Sequence, residues 1–251
     1  MNEYLRNLSK IEFVITYACT GKCKHCSEGN HSGIGDHISA DVASEAVRKT
    51  AQIYPIQTVM AFGGEPLLYP DAVFSIMSCA KKLNIPKRQV ITNGFFSKAH
   101  GDIKRIAQGL FESGVNDLRI SVDAFHQETI PLDAVKLFIR EATVYGIPAK
   151  LQPAWLVSKE HENPYNKRTR EILCELEAMG LSQGSGNIVF PQGNALEYLS
   201  EYFTDTHLEN PYIEDPYNVK CISFSPNGDV LNGNVYKQDI TDILHSYSPA
   251  G

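Results

Sequence analysis

The chain has 251 residues, 43% of them hydrophobic, and a formal net charge of −6. That length fits one large α/β domain, or a domain with a small appendage. No basic run exceeds two residues, and no apolar stretch approaches the ~20 residues of a membrane span, which excludes nucleic acid and membrane as partners. The first residues lack an apolar signal segment, and the six cysteines show no paired framework, so the expected compartment is cytoplasmic.

Residues 11–16 read as a strand running into a loop rich in cysteine, glycine and histidine. Ser39 can cap a helix with Val42, Ala46 and Val47 on its apolar face. Residues 58–62 form a short buried strand, and Asp71 can cap a helix carrying Val73, Ile76, Met77, Ala80 and Leu83 at helical spacing. A third strand at 89–92 precedes a helix at 98–112, and a fourth strand spans 117–122. Pro131 suits the first turn of a helix that closes at Gly146. A fifth strand at 150–157 carries an irregularity at Pro153, a helix at 168–179 stops at Gly180, and 187–190 is a short sixth strand.

Strand–helix units of about 30 residues point to parallel βαβ crossovers. From residue 205 the pattern changes to a tail rich in proline, tyrosine and asparagine, with a hairpin around 225–228. The expected division is a core at 1–204 and a C-terminal extension at 205–251. Cys79 and Cys174 fall on helices near apolar faces and read as buried structural thiols, and Tyr198, Tyr202, Tyr212 and Tyr217 read as packing.

The chemistry concentrates at Cys19, Cys23 and Cys26, a C-x3-C-x2-C run directly after the first strand. Three thiolates on one short loop can hold three irons of a cubic iron–sulfur cluster and leave the fourth iron open. The alternative is zinc, with His25, His31 or His37 as fourth ligand. Zinc sites usually join two C-x2-C-type half-sites, and the sequence has no second one.

The next three strands also exit into polar or glycine-rich segments, Gly63-Gly64-Glu65, Thr92-Asn93-Gly94 and Ser121-Val122-Asp123. Ligands gather at the carboxyl ends of strands in such folds, so the four exits converge on one site. Gly63 and Gly64 let backbone carbonyls approach a ligand closely, and the Glu65 carboxylate suits a cationic amino group. Asn93 can donate and accept, while Gly94 permits a tight turn. Ser121 and Asp123 alternate along strand four and so share a face, although a strand-end Asp also caps the following turn. Lys150 and Gln152 share a face of strand five, with Lys150 either a partner for a carboxylate or a solvated strand end. His126 is an acid/base candidate or a hydrogen-bonded loop histidine.

The cysteine run followed by G-G-E and T-N-G segments resembles the radical S-adenosylmethionine (SAM) superfamily over roughly residues 11–190. His25 stands where that family usually carries an aromatic ring. The resemblance implies a partial (β/α)6 TIM-like barrel, α/β in class, and an enzyme that cleaves SAM at a [4Fe–4S] cluster held by Cys19, Cys23 and Cys26. It assigns the SAM amino group to Gly63, Gly64 and Glu65, and the ribose or methionine carboxylate to Ser121 and Asp123. His25, Asn93, Lys150 and Gln152 complete the cofactor-binding set, His126 is the catalytic candidate, and an external electron donor such as flavodoxin or ferredoxin is implied.

Cys221, Pro226, Gly228, Val230, Gly233 and Asn234 resemble the start of a SPASM or shortened SPASM extension. The cysteine expected after its hairpin is missing, so no second cluster is expected. That tail points to a peptide or peptide-like substrate. The alternatives are a glycyl-radical-enzyme activase or another small-molecule radical SAM enzyme and, in a different class, a non-enzymatic zinc or iron–sulfur module. A structural metal site needs none of the G-G-E, N-G and S-x-D segments, which argues against the last.

Overall fold

The computed structural model describes residues 2–29, 35–203 and 209–249. His31 and the expected boundary at 204/205 lie outside these residues. The chain begins with β1 (Lys10–Val14), α1 (Ala40–Ile53), β2 (Thr58–Phe62), α2 (Pro70–Lys82), β3 (Lys87–Thr92) and α3 (His100–Glu112). β4 (Asp117–Ser121), a short α4 (Ala124–Gln127), α5 (Leu132–Val144), β5 (Ala149–Gln152), β6 (Ala154–Trp155) and α6 (Pro164–Glu177) follow. The last part carries β7 (Ser182–Gln183), β8 (Asn187–Ile188), α7 (Asn194–Tyr198), β9 (Cys221–Phe224), β10 (Asp229–Val230), β11 (Gly233–Asn234) and α8 (Ile240–Ser246).

Seven strands form one sheet in the order β7-β5-β4-β3-β2-β1-β9, with every neighbouring pair parallel. From β1 to β5 the order in space follows the order in sequence, so right-handed crossovers lay successive helices on the same face. This is the expected α/β partial barrel, open between its β7 and β9 edges. Strand side chains alternate between faces. Ile11, Phe13, Val59, Ala61, Val90, Leu118, Ile120 and Leu151 are fully buried, in one core with Val47, Ile76, Ile106 and Phe138 of the helices. The out-of-phase residues Glu12, Gln89, Asp117, Arg119, Ser121 and Gln152 are polar and occupy the inner face.

The details depart from expectation where backbone chemistry intervenes. Pro153 cannot donate to a ladder, so the fifth strand breaks into β5 and β6, and β6 pairs with β8 in a separate two-stranded ladder. The expected sixth strand is thus not in the main sheet; β7 takes the place beside β5. β9 pairs with β1 from Lys10↔Cys221 to Phe13↔Phe224, so the C-terminal segment supplies an edge of the core sheet instead of standing apart. Phe13 and Phe224 stack at 4.7 Å there, and α8 is tied to α1 through the Lys49–Asp239 ion pair.

Pro70 takes the first position of α2 and moves Asp71 from the cap into the first turn. Ser39 holds the cap position of α1 without a side-chain bond. Cys174 is exposed, because its neighbours Ile172 and Leu173 take the core side of α6, and Cys79 is half-buried. Tyr198, Tyr212 and Tyr217 are partly exposed, and the rings of Tyr212 and Tyr217 pack edge-on against Phe190 and Tyr4 at 6.1 Å each. Among the described residues, no helix is long and apolar enough to cross a membrane.

Candidate active site

The loop after β1 is clamped from three sides. From the β2 exit, the Gly64 and Glu65 amides donate to the Thr16 and Ala18 carbonyls at 2.7 and 2.8 Å. From beyond α4, Thr129 Oγ1 accepts the Lys22 amide at 3.0 Å. From α7, the Asn194 amide donates to the Cys26 carbonyl at 2.9 Å, and its Nδ2 to the Cys23 carbonyl at 3.0 Å. The glycine pair is a steric requirement: a Cβ on Gly64 would lie 2.1 Å from the Ala18 oxygen, and Gly63 has φ +129°. Gly64→Ala is therefore expected to displace the cysteine loop. Purified variant should fold by circular dichroism but retain less than half the reconstituted iron of wild type; undiminished iron would count against this close-packing role.

A cleft of about 120 Å³ opens at this loop, lined by Cys19, Cys23, Cys26, His25, Gly63, Gly64, Asn93, Ser121 and His126, together with Gly21, Phe62, Ile91 and Thr92. Nine of the residues singled out in the sequence thus meet in one place. Asn93 bridges the β3 exit to the cysteine loop, its Nδ2 donating to Thr20 Oγ1 at 3.1 Å and towards Cys19 Sγ at 3.5 Å.

Glu65, Asp123, Lys150 and Gln152 do not line the cleft. Glu65 is fully buried and accepts from the Leu67 amide at 2.9 Å, Thr92 Oγ1 at 2.7 Å and the Asn93 amide at 2.8 Å. It ties the β2 exit to the β3 exit, and burial pushes its carboxyl up to about 7 despite these donors. Asp123 lies beyond the end of β4, where the expected alternation no longer applies. It caps α4, accepting from the His126 amide at 3.0 Å, and its Oδ2 meets His126 Nδ1 at 2.8 Å and the Ala154 amide at 2.9 Å. Burial alone would raise the Asp123 carboxyl, but His126 beside it holds it well below the usual range. Lys150 is exposed on β5, opposite Arg119. Gln152 Oε1 accepts from Arg119 Nη1 at 3.3 Å.

His25 packs its ring 4.8 Å from both Phe125 and His126. Its buried Nδ1 has no hydrogen-bond partner among the described residues, and burial pushes the ring's pKa down to about 4. A histidine whose pKa is lowered on folding loses stability as pH falls from its unfolded value near 6.5 towards 4. His25→Phe is expected to remove that acid-side loss and to match or exceed wild-type stability at pH 7 by up to about 1 kcal/mol, since it deletes an unsatisfied polar atom. Denaturant titrations at pH 7 and pH 5 test this; an unchanged pH dependence would contradict it.

The donor set fits an iron–sulfur cluster. Three thiols border one cleft, the Gly21 amide and Asn93 Nδ2 reach Cys19 Sγ at 3.4 and 3.5 Å, and hydrogen bonds to sulfur are a lever on cluster potential. Burial raises the Cys19 thiol to about 11 and the Cys23 and Cys26 thiols in the same direction, so iron must displace protons to bind. Of the histidines expected as a fourth zinc ligand, His37 stacks on Tyr69 at 4.0 Å, His31 lies outside the described residues, and His25 stays beside Cys23. Among the described residues, the set close enough for a single ion is Cys23, His25 and His126, within 4.8 Å, and not the three cysteines.

Two contributors escaped the sequence reading. Asn194 follows Gly193, a turn dipeptide whose role in fastening a loop 170 residues earlier is a tertiary fact. The polar inner-face residues Gln89, Asp117 and Arg119 left a signal in the period-two alternation of strands three and four.

The model of the radical SAM superfamily matches residues 13–148. The probable GTP 3′,8-cyclase of Saccharolobus solfataricus is 26% identical over 219 residues, covering 80% of this chain and 67% of that protein. Its counterpart in Archaeoglobus fulgidus is 28% identical over 130 residues, 51% of this chain and 40% of that protein. Among solved structures, Streptococcus suis SuiB bound to S-adenosylmethionine superposes with a TM-score of 0.59 at 15% identity, covering 96% of this chain and 66% of that one. Native anSMEcpe with bound AdoMet gives 0.57 at 13% identity, over 92% of this chain and 76% of that one. The structural likenesses bear on the fold, a radical SAM partial barrel. The family match runs from the end of β1 through the cysteine loop and β4, and the chain belongs to the radical SAM superfamily of enzymes, which use a [4Fe–4S] cluster and SAM.

Proposed function

We propose that this enzyme abstracts hydrogen from a small polar molecule that reaches the cleft over the open inner face of the sheet. One observation carries the reading. Ile91 and Ser121 line the cleft and also belong to β3 and β4, so the cleft continues onto the polar inner face without crossing the helical layer. The relatives named as probable GTP 3′,8-cyclases are named for a reaction of a small molecule, which supports the same substrate class.

When bound, the cluster and SAM supply a 5′-deoxyadenosyl radical able to remove a hydrogen atom from substrate. In this reading Cys19, Cys23 and Cys26 hold the cluster, and Gly63 and Gly64 offer backbone carbonyls to the SAM amino group. Asn93 and Ser121 add hydrogen bonds at the rim, and His25 adds a ring face. Glu65 and Asp123 act through the loops they fasten, while Lys150 and Gln152 fall on the substrate side. Asp123 orients His126 through Nδ1, which leaves Nε2 to exchange a proton with substrate. An external one-electron donor such as flavodoxin or ferredoxin completes the system.

A peptide substrate is the second reading, favoured by β9. This strand runs parallel to β1, so the β10–β11 hairpin that follows it sits on the same rim as the cysteine loop.

Anaerobic reconstitution, then incubation with dithionite and SAM, should yield 5′-deoxyadenosine by mass spectrometry. Absence of both cluster and SAM binding would overturn the reading. Size-fractionated cell extract separates the two substrate classes: stimulation of nucleoside formation by the small-molecule fraction supports the first, and stimulation by the peptide fraction alone supports the second.

A further inference from the structure

Below the cleft, the inner face carries a concentration of cations in an acidic chain. β3 contributes Lys87 and Gln89, β4 contributes Asp117 and Arg119, and β5 contributes Lys150 and Gln152. Their register is tight, with Gln89 opposite Asp117 and Arg119 flanked by Ile91 and Lys150. Arg119 stands two residues before the cleft-lining Ser121 on the same face, about 7 Å along the strand.

Two of the three cationic side chains share a single carboxylate here. Asp117 accepts from Arg119 Nε at 2.6 Å and Nη2 at 3.3 Å, from Lys87 at 3.1 Å and from Gln89 Nε2 at 2.8 Å. Lys150 joins no ion pair among the described residues, so positive charge is in excess. A guanidinium has five N–H donors. Nε, one donor of Nη2 and one of Nη1, the last bonded to the neutral Gln152 Oε1, are used, so Nη1 and Nη2 each keep one.

A second observation shows that this group is held from one side by a closely packed backbone. Gly184 lies against it, and a Cβ there would stand 2.8 Å from Arg119 Nη1 and 2.6 Å from Gln152 Oε1. Gly184 has no positive φ that would demand glycine, so what its missing side chain provides is a close approach of the backbone that holds the Arg119–Gln152 pair in place. A planar fork held in place, with two unused donors and a local excess of cations, suits a planar or tetrahedral oxyanion.

We propose that Arg119, supported by Lys87 and Lys150, binds an anionic group of the substrate, a carboxylate or a phosphate, and so sets which small molecules present a C–H bond to the cleft. This rests on the small-molecule reading above and names the chemistry that such a substrate shares.

The test uses reconstituted, SAM-loaded protein and two probes, pyrophosphate followed by ³¹P line broadening and citrate followed by ¹H line broadening. At least one probe should bind wild type, and Arg119→Gln should weaken that binding tenfold or more. Arg119→Lys, which keeps the charge but loses the fork, should fall between. Gly184→Ala leaves the Arg119–Asp117 pair in place and should also weaken binding, which keeps the test valid should Arg119→Gln fold poorly. The probe that binds more tightly identifies phosphate or carboxylate as the natural group. Equal binding to wild type, Arg119→Gln and Gly184→Ala, or no binding of either probe to wild type, overturns the proposal. Intact SAM cleavage in that same wild-type preparation would show that the enzymatic reading survives; loss of cluster and SAM binding would instead sink that reading on its own.

Discussion

Replacing Cys23 by alanine is expected to reduce bound iron from about four per chain to background, and to abolish the visible charge-transfer absorption, with little change in fold. Cys23 is 7% exposed and packs with Phe125, Leu156 and Val189. As a packing element it is a small hydrophobe, and its loss should cost about 1 kcal/mol, the scale of removing a buried methyl-sized group. The loop keeps its shape, because Asn194 bonds the Cys23 backbone carbonyl and not its sulfur. The cluster has no such reserve, since three thiolates are all that the loop offers. Cys221→Ala is the control: that cysteine opens β9 beside Lys10, and its loss should leave iron unchanged. Full iron in the Cys23 variant would defeat the ligand assignment.

Glu65→Gln should lower stability by about 1–3 kcal/mol, although the Glu65 side chain itself does not line the cleft. The carboxylate accepts from two backbone amides and one hydroxyl, with Leu67 and Thr92 on Oε1 and Asn93 on Oε2. A carboxamide offers one acceptor oxygen, so its NH₂ group must face a backbone N–H in a fully buried place, with no water to relieve either donor. The pH dependence has a definite sign. Burial raises the Glu65 carboxyl to about 7 in the folded state, above its ordinary value of 4.5, so the folded chain holds a proton that the unfolded chain releases. Its contribution to stability is present below about pH 4.5 and is lost as pH rises towards 7. The stability difference between wild type and Glu65→Gln should therefore shrink over that window. Guanidinium titrations from pH 4.5 to 7.5 measure it, and a gap that widens with pH would refute the assignment.

Most of the architecture was legible because parallel βαβ units impose two periods on the sequence. The strands at 58–62 and 89–92, and helices with apolar residues at helical spacing, follow from side-chain burial alone. The convergence of the strand exits was legible for the same reason, since a parallel sheet brings all carboxyl ends to one side. Direction was less readable than position. Asp123 and Glu65 sit at the predicted turns but point inward, because each satisfies backbone donors of a neighbouring exit that only the folded chain brings near. The long-range partners were hidden altogether: β9 is a four-residue strand in a stretch of turn residues, and its identity depends on the unpaired edge of β1. Arg119 was visible as a polar residue in a strand, yet its significance comes from Gly184, far along the chain.

The pairing of β9 with β1 has a kinetic meaning. Lys10 meets Cys221 across about 211 residues of chain, whereas β1 meets β2 across about fifty. The strand that leads into the cysteine loop therefore keeps one bare edge while the intervening chain is made, and contacts so distant in sequence form late. A bare edge of parallel sheet is a template for unwanted pairing, so iron delivered before residue 224 has emerged meets a loop that leaves a strand paired on one side only. Cluster insertion then belongs after synthesis of β9, and chains cut short before it should be recovered as colourless aggregates.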